Sequence, residues 1–138
     1  MNTKVVANTK ATDRLTNMTS LQGYLSTTYG ELQFIFGPPG EGDGYKVRAY
    51  WSLLFTGKDV SGSDIKIIAT IYDWKQGDEY NGMGNGTPLD EVTEWNIGGH
   101  GPSAADAVYG YIENWHLAQI EAAHDVYQTH CVEAWERV

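Results

Sequence analysis

Ala49, Trp51, Leu53 and Phe55 alternate with Arg48, Tyr50, Ser52 and Leu54, a period of two that predicts a strand with one strongly apolar face within residues 45–55. Residues Ile65 to Trp74 (IKIIATIYDW) are rich in β-branched and aromatic side chains and are expected to pair with it antiparallel across a hairpin connection at 56–64. These two strands form the expected centre of a sheet, with shorter strands predicted at Leu21–Leu25 and Thr93–Ile97. Thr28-Tyr29-Gly30-Glu31 has the spacing of a capping box and opens a short helix through Phe36, which Pro38-Pro39 ends. The run GPPGEGDG at 37–44 is turn chemistry, and Gly82, Gly84 and Gly86 mark a loop over 76–90.

The period changes after Pro102. Ser103 and Asp106 have capping-box spacing, and Ala105, Val108, Ile112 and Trp115 fall at three- and four-residue steps, the stripe of a helix lying on a sheet. From Leu117 the apolar positions move to another face, where Leu117, Ile120, His124, Tyr127, Cys131 and Ala134 form a heptad seam. Unbroken to the end, this helix would run roughly 50 Å at about 1.5 Å per residue, longer than a small sheet covers. Its second half therefore needs another partner, either a second copy of the chain or, if the helix turns back, its own domain. Residues 1–18 are polar, rich in Thr and Asn, and periodic in neither sense, so they are expected to be a disordered arm. The predicted class is α+β: a single domain over 19–138, with a small antiparallel sheet, a short N-terminal helix, and a long C-terminal helix packed on the sheet and extending to an oligomer partner.

Composition narrows the functional classes. A chain of 138 residues is one domain's worth, and its lone Cys131 cannot form an intrachain disulfide, which fits a reducing, cytoplasmic setting. Val5-Val6-Ala7 is too short for a signal-peptide apolar region or a membrane span, so no membrane partner is expected. The formal charge of -9 discourages direct nucleic-acid binding, which needs clustered Lys and Arg. The same excess suits docking on a basic protein surface, as well as the plain role of keeping the chain soluble.

Candidate chemistry gathers near one predicted sheet end. Trp74-Lys75, Tyr80 and Trp95-Asn96 interleave flat faces with positive charge, and Lys46 and Arg48 sit on a predicted central strand. A purine needs a flat apolar contact and its phosphate needs donors, so these residue types together suit a nucleotide-type ligand. Gly98-Gly99-His100-Gly101 precedes a helix N-terminus, where close backbone approach and unpaired N–H groups suit an anion; a structural turn is the other reading. Glu113 with His116 and Glu121 with His124 have dimetal-helix spacing, but one helix lacks the remaining carboxylate-bearing helices, so no metal and no cofactor is assigned. Cys131 lies in the seam as a small apolar residue, no G-x-S-x-G elbow occurs, and no catalytic set is assigned.

The blocks TSLQGY (19–24), YGELQFIFGPP (29–39), GDGYKV (42–47) with Trp51 shortly after, ATIYDWK (69–75) and EWNIGGH (94–100) resemble, in order and spacing, a family of short bacteriophage proteins over about residues 19–108. The chain departs from that pattern in its N-terminal arm, in an insertion around 58–65 and in its long C-terminal extension. The family is similar in turn to phage Thoeris anti-defence sponges, small oligomeric proteins that capture a cyclic ADP-ribose signal without degrading it. The resemblance implies a pocket between protomers holding adenine, riboses and a diphosphate, in the cytoplasm of an infected bacterial cell. The expected role is noncatalytic sequestration of a nucleotide-derived immune signal, cyclic ADP-ribose type or cyclic oligonucleotide, with Trp74, Tyr80 or Trp95 stacking and Lys46, Arg48 or Lys75 meeting phosphate. The competing readings are an acidic inhibitor of a host nuclease or defence complex and a small enzyme acting on a phosphorylated metabolite.

Overall fold

A computed structural model describes residues 3–136, with side chains described through Val126. The two alternating segments form the hairpin at the middle of the sheet, β4 (Ala49–Lys58) and β5 (Asp64–Tyr72). The Asp59 carboxylate closes the turn by accepting the backbone N–H groups of Ser61 and Ser63. The register pairs Trp51 with Ile71, Leu53 with Ala69 and Phe55 with Ile67 on one face, and Tyr50 with Tyr72, Ser52 with Thr70 and Leu54 with Ile68 on the other. β6 (Glu94–Gly99) pairs with β5, and β2 (Ser20–Ser26) lies outside it as an edge. β1 (Lys4–Ala7) pairs with the far side of β4, and the two-residue β3 (Gly40–Glu41) pairs with the start of β4. All pairings are antiparallel, in the order β1-β4-β5-β6-β2.

Two helices cover the face that carries Trp51, Leu53 and Ile71. The long helix α4 (Ser103–Glu136) crosses β5, β6 and β2, burying Ala104, Ala105, Val108 and Ile112, much as the stripe predicts. The short helix α2 (Tyr29–Phe36) adds Leu32 and Phe36. The Thr28 hydroxyl accepts the Glu31 N–H at 3.1 Å, but the Glu31 carboxylate contacts His116 of α4 rather than returning to Thr28, so half of the capping box is spent on joining the helices. Beyond Trp115 the helix leaves the sheet, and Leu117 and Ile120 are 51% and 64% exposed. Tyr127, Cys131 and Ala134 of the predicted seam lie outside the described side chains.

Residues 3–18 are built into the fold rather than forming a disordered arm. Val5 and Ala7 of β1 face Phe55 and Leu53, and backbone pairing with β4 supplies the order that the polar side chains do not advertise. Thr9 then caps α1 (Lys10–Leu15): its hydroxyl accepts the Thr12 N–H at 3.0 Å while Thr12 Oγ1 accepts the Thr9 N–H at 2.8 Å. α1 lies on the outer face of the sheet, where buried Thr12 meets Ser52 and Ser52 donates to Asp13 at 2.6 Å. Thr9→Ala is expected to cost about 1 kcal/mol, read as a lowered urea midpoint at unchanged slope.

Candidate functional site

The end of β5 carries three residues in succession with different fates. Tyr72 faces outward, Asp73 is fully buried, and Trp74 returns to the outer side at 40% exposure, with its ring edge-on to Tyr72 at 6.1 Å. Lys75 follows with φ 58, a left-handed conformation that costs a non-glycine residue on the order of 1–3 kcal/mol and tends to be retained at binding sites. Two bonds hold it there: its N–H donates to the Lys46 carbonyl at 2.8 Å, and Asn81 Nδ2 donates to its own carbonyl at 2.9 Å. Asn81 closes α3 (Asp78–Asn81), which also presents Tyr80.

These constraints gather four of the residues selected from sequence into one corner. Lys46 Nζ stands 5.7 Å from the Trp74 ring centre, and Lys75 Nζ stands 5.3 Å from Trp74 and 5.2 Å from Tyr80. Tyr45, which sequence reasoning passed over, adds a ring 5.2 Å from Tyr80. Beside the corner is a hollow of about 360 Å³ on the outer face, with Val47, Tyr50, Thr70 and Tyr72 among its walls. Tyr72 is shared between hollow and corner, so the two form one surface. Asn96 pairs across the strands with Tyr72 and extends the surface one strand further, whereas Gly98, paired with Thr70, is buried, and an added Cβ would stand 2.4 Å from Thr70 Oγ1.

Backbone donors fix the loops around this surface. The Asp43 carboxylate accepts N–H groups from Val47, Tyr45 and Lys46 within 2.9–3.0 Å, and these bonds lower its pKa. Asp78 accepts from Gly84 and Gly86, which lowers its pKa as well, with the Arg48 charge adding to the effect. Burial, then the Asp13 carboxylate, raises the Tyr50 phenol, so it stays protonated. A carboxyl whose folded pKa is depressed contributes order that is present above its unfolded value and is lost as the pH falls through the folded one. Both loops are therefore expected to loosen as the pH drops below about 3.8, the ordinary value for these groups, with faster amide exchange at Tyr45, Gly84 and Gly86 as the readout.

Four other candidates serve the fold instead. Trp95 is fully buried, packs on Trp51 and Tyr29, and donates its indole N–H to Thr27 O at 3.0 Å, so it offers no face to a ligand. Arg48 is clamped by Asp73 Oδ2 at 2.8 Å and donates Nη1 to Thr87 O, while its Nη2 is buried, so it does not meet phosphate. Gly99 is the last residue of β6, not a phosphate loop, and lies under the first turn of α4: an added Cβ would stand 2.2 Å from Ala104 Cβ. Gly99→Ala is accordingly expected to destabilise by about 1–3 kcal/mol through overpacking, measured as a lower melting temperature without ligand. His100 Nε2 donates to Leu15 O at 3.0 Å and ties the end of β6 to α1.

The described residues hold no cluster of three His, Cys, Asp or Glu side chains able to bind a metal, and His116 reaches Glu31 rather than Glu113. Ser52 donates to Asp13, but Ser52 is fully buried beneath α1, where no substrate reaches it. The corner itself offers flat faces and ammonium groups, a combination suited to holding an anion with a planar ring. Among the described residues no helix is long and apolar enough to cross a membrane. No family model matches the chain, and no curated protein or solved structure matches it either.

Proposed function

We propose that this protein is a noncatalytic binding protein for a nucleotide-type anion, held at the corner formed by Lys46, Trp74, Lys75 and Tyr80. The observation that carries the reading is the convergence of two ammonium groups on the half-exposed Trp74 ring, on a backbone strained at Lys75. In a chain of charge -9, two of its nine basic side chains share this one exposed aromatic corner. A planar base slides onto Trp74 or Tyr80, the lysines swing to its phosphates, and the adjoining hollow takes the sugar.

The resemblance to phage proteins supplies the biological setting: capture of a signal of the cyclic ADP-ribose or cyclic oligonucleotide type in the cytoplasm of an infected bacterium. The exposed Leu117 and Ile120 are where a second copy would pack, making the protein a homo-oligomer through α4. Calorimetric titration with cyclic ADP-ribose isomers, ADP-ribose and cyclic dinucleotides tests the reading. At a hundredfold excess over Kd a ligand adds about 2.7 kcal/mol to stability, so the melting temperature rises, and mass spectrometry recovers the ligand intact. Absence of binding by every phosphorylated ring compound in the set defeats it, and a changed mass makes the protein an enzyme.

One feature favours a second reading. From Ser103 to Val126, α4 contains Asp106, Glu113, Glu121 and Asp125 but no Lys or Arg, the potential expected of an inhibitor that occupies a basic groove. Such docking weakens steeply with salt, and its variants map to α4 rather than to Trp74.

A further inference from the structure

A second hollow lies on the opposite face of the sheet, beside the first three turns of α4. It encloses about 300 Å³, near the lower bound of small-molecule sites. Phe55, Ile65 and Ile67 form its apolar side, and Tyr111 closes it with a ring tilted against Phe55 at 5.6 Å. On α4, Asp106, Gly110 and Asn114 follow one another at four-residue steps and so line one edge of the hollow.

Gly110 is the informative residue. Glycine disfavours a helix interior, yet its backbone does not require glycine, and an added Cβ would meet nothing within 4 Å. Neither close packing nor a left-handed φ accounts for it. Gly110 lies in the lining of the hollow, where a side chain longer than a methyl group would take up its space. The electrostatics point to one sign of ligand: the exposed Asp106 carboxylate stands at the rim, no described lining residue is basic, and this stretch of α4 carries only acids. We infer that this hollow is a binding site for a small apolar amine, its body against Phe55 and Ile67 and its ammonium at Asp106. It is independent of the Trp74 corner, lying on the other face and selecting the opposite charge.

Titrating the full-length, isotope-labelled chain with 2-phenylethylamine, followed by amide NMR, tests the assignment, with 3-phenylpropanoate as a probe of similar body and reversed charge. The expected result is saturable shifts confined to the amides around Ile65–Ile67 and Asp106–Asn114, with the carboxylate at least tenfold weaker. Gly110→Leu, which fills the space, abolishes the amine shifts, and Asp106→Asn brings the two probes to similar affinity. The assignment is overturned if neither probe gives saturable shifts, if both bind the native chain equally, or if a folded Gly110→Leu chain binds the amine unchanged. Should Gly110→Leu fail to fold, equal charge preference in the native and Asp106→Asn chains overturns it alone.

Discussion

Trp74→Ala is expected to weaken binding of a nucleotide-type ligand about five- to a hundredfold while leaving the melting temperature of the free protein nearly unchanged. Stacking of one base on an aromatic side chain is worth about 1–3 kcal/mol, and 1.4 kcal/mol is tenfold in affinity. The ring is 40% exposed and its neighbours are a tyrosine edge and two flexible lysine stems, so its removal leaves no cavity in the core. Trp95→Ala makes the contrast: that ring is fully buried, and its loss is expected to cost about 3–5 kcal/mol of stability. Calorimetry on the first variant and urea unfolding on both separate the two roles. Comparable affinity in native and Trp74→Ala chains would place the ligand elsewhere.

An equally large effect on stability is expected at Asp73. Its side chain is fully buried and accepts the backbone N–H groups of Arg48 and Ala49 at 2.8 and 3.0 Å, together with Arg48 Nε at 2.8 Å. Asp73→Ala therefore strands two strand-end donors and a largely buried guanidinium, and breaking such a pair costs about 3–5 kcal/mol. For a domain whose total stability is on the order of 5–15 kcal/mol, that is a large fraction, visible as a fall in the urea midpoint. Arg48→Met in the same chain removes the uncompensated charge, so the double variant is expected to be more stable than Asp73→Ala alone. Losses that simply add would show that the two groups act independently and that Arg48 is free for another task.

The difference between these positions explains how much of the molecule was legible in its sequence. The β4–β5 hairpin and the first half of α4 were legible because their periodicity is local: Trp51, Leu53 and Phe55 alternate, and Ala105, Val108 and Ile112 keep helical spacing, whatever they pack against. β1 and α1 were not, because four residues carry no usable period and their order comes from pairing with β4, some fifty residues away (Val5 with Phe55). Arg48 was misread for a related reason: its partner Asp73 lies across the hairpin, and only the register brings the two together. Trp74, Lys75 and Tyr80 were legible as residue types, while the left-handed turn at Lys75 that folds them together had no glycine to announce it. Trp95 shows the limit of composition: grouping it with Trp74 and Tyr80 as a flat face ignores the alternation of Glu94 and Asn96 with Trp95 and Ile97, which places both apolar side chains on the core face.

The most direct measurement is of the indole N–H resonances of the five tryptophans during titration with a cyclic ADP-ribose isomer or cyclic dinucleotide. Trp51 and Trp95 donate to Gly37 O and Thr27 O inside the core and serve as internal references. The expected result is a saturable shift of the Trp74 indole, with Trp51 and Trp95 unmoved and the ligand chemically intact at the end. Saturable binding that leaves Trp74 still would contradict stacking at this corner, as would a titration in which no indole moves with any of these ligands.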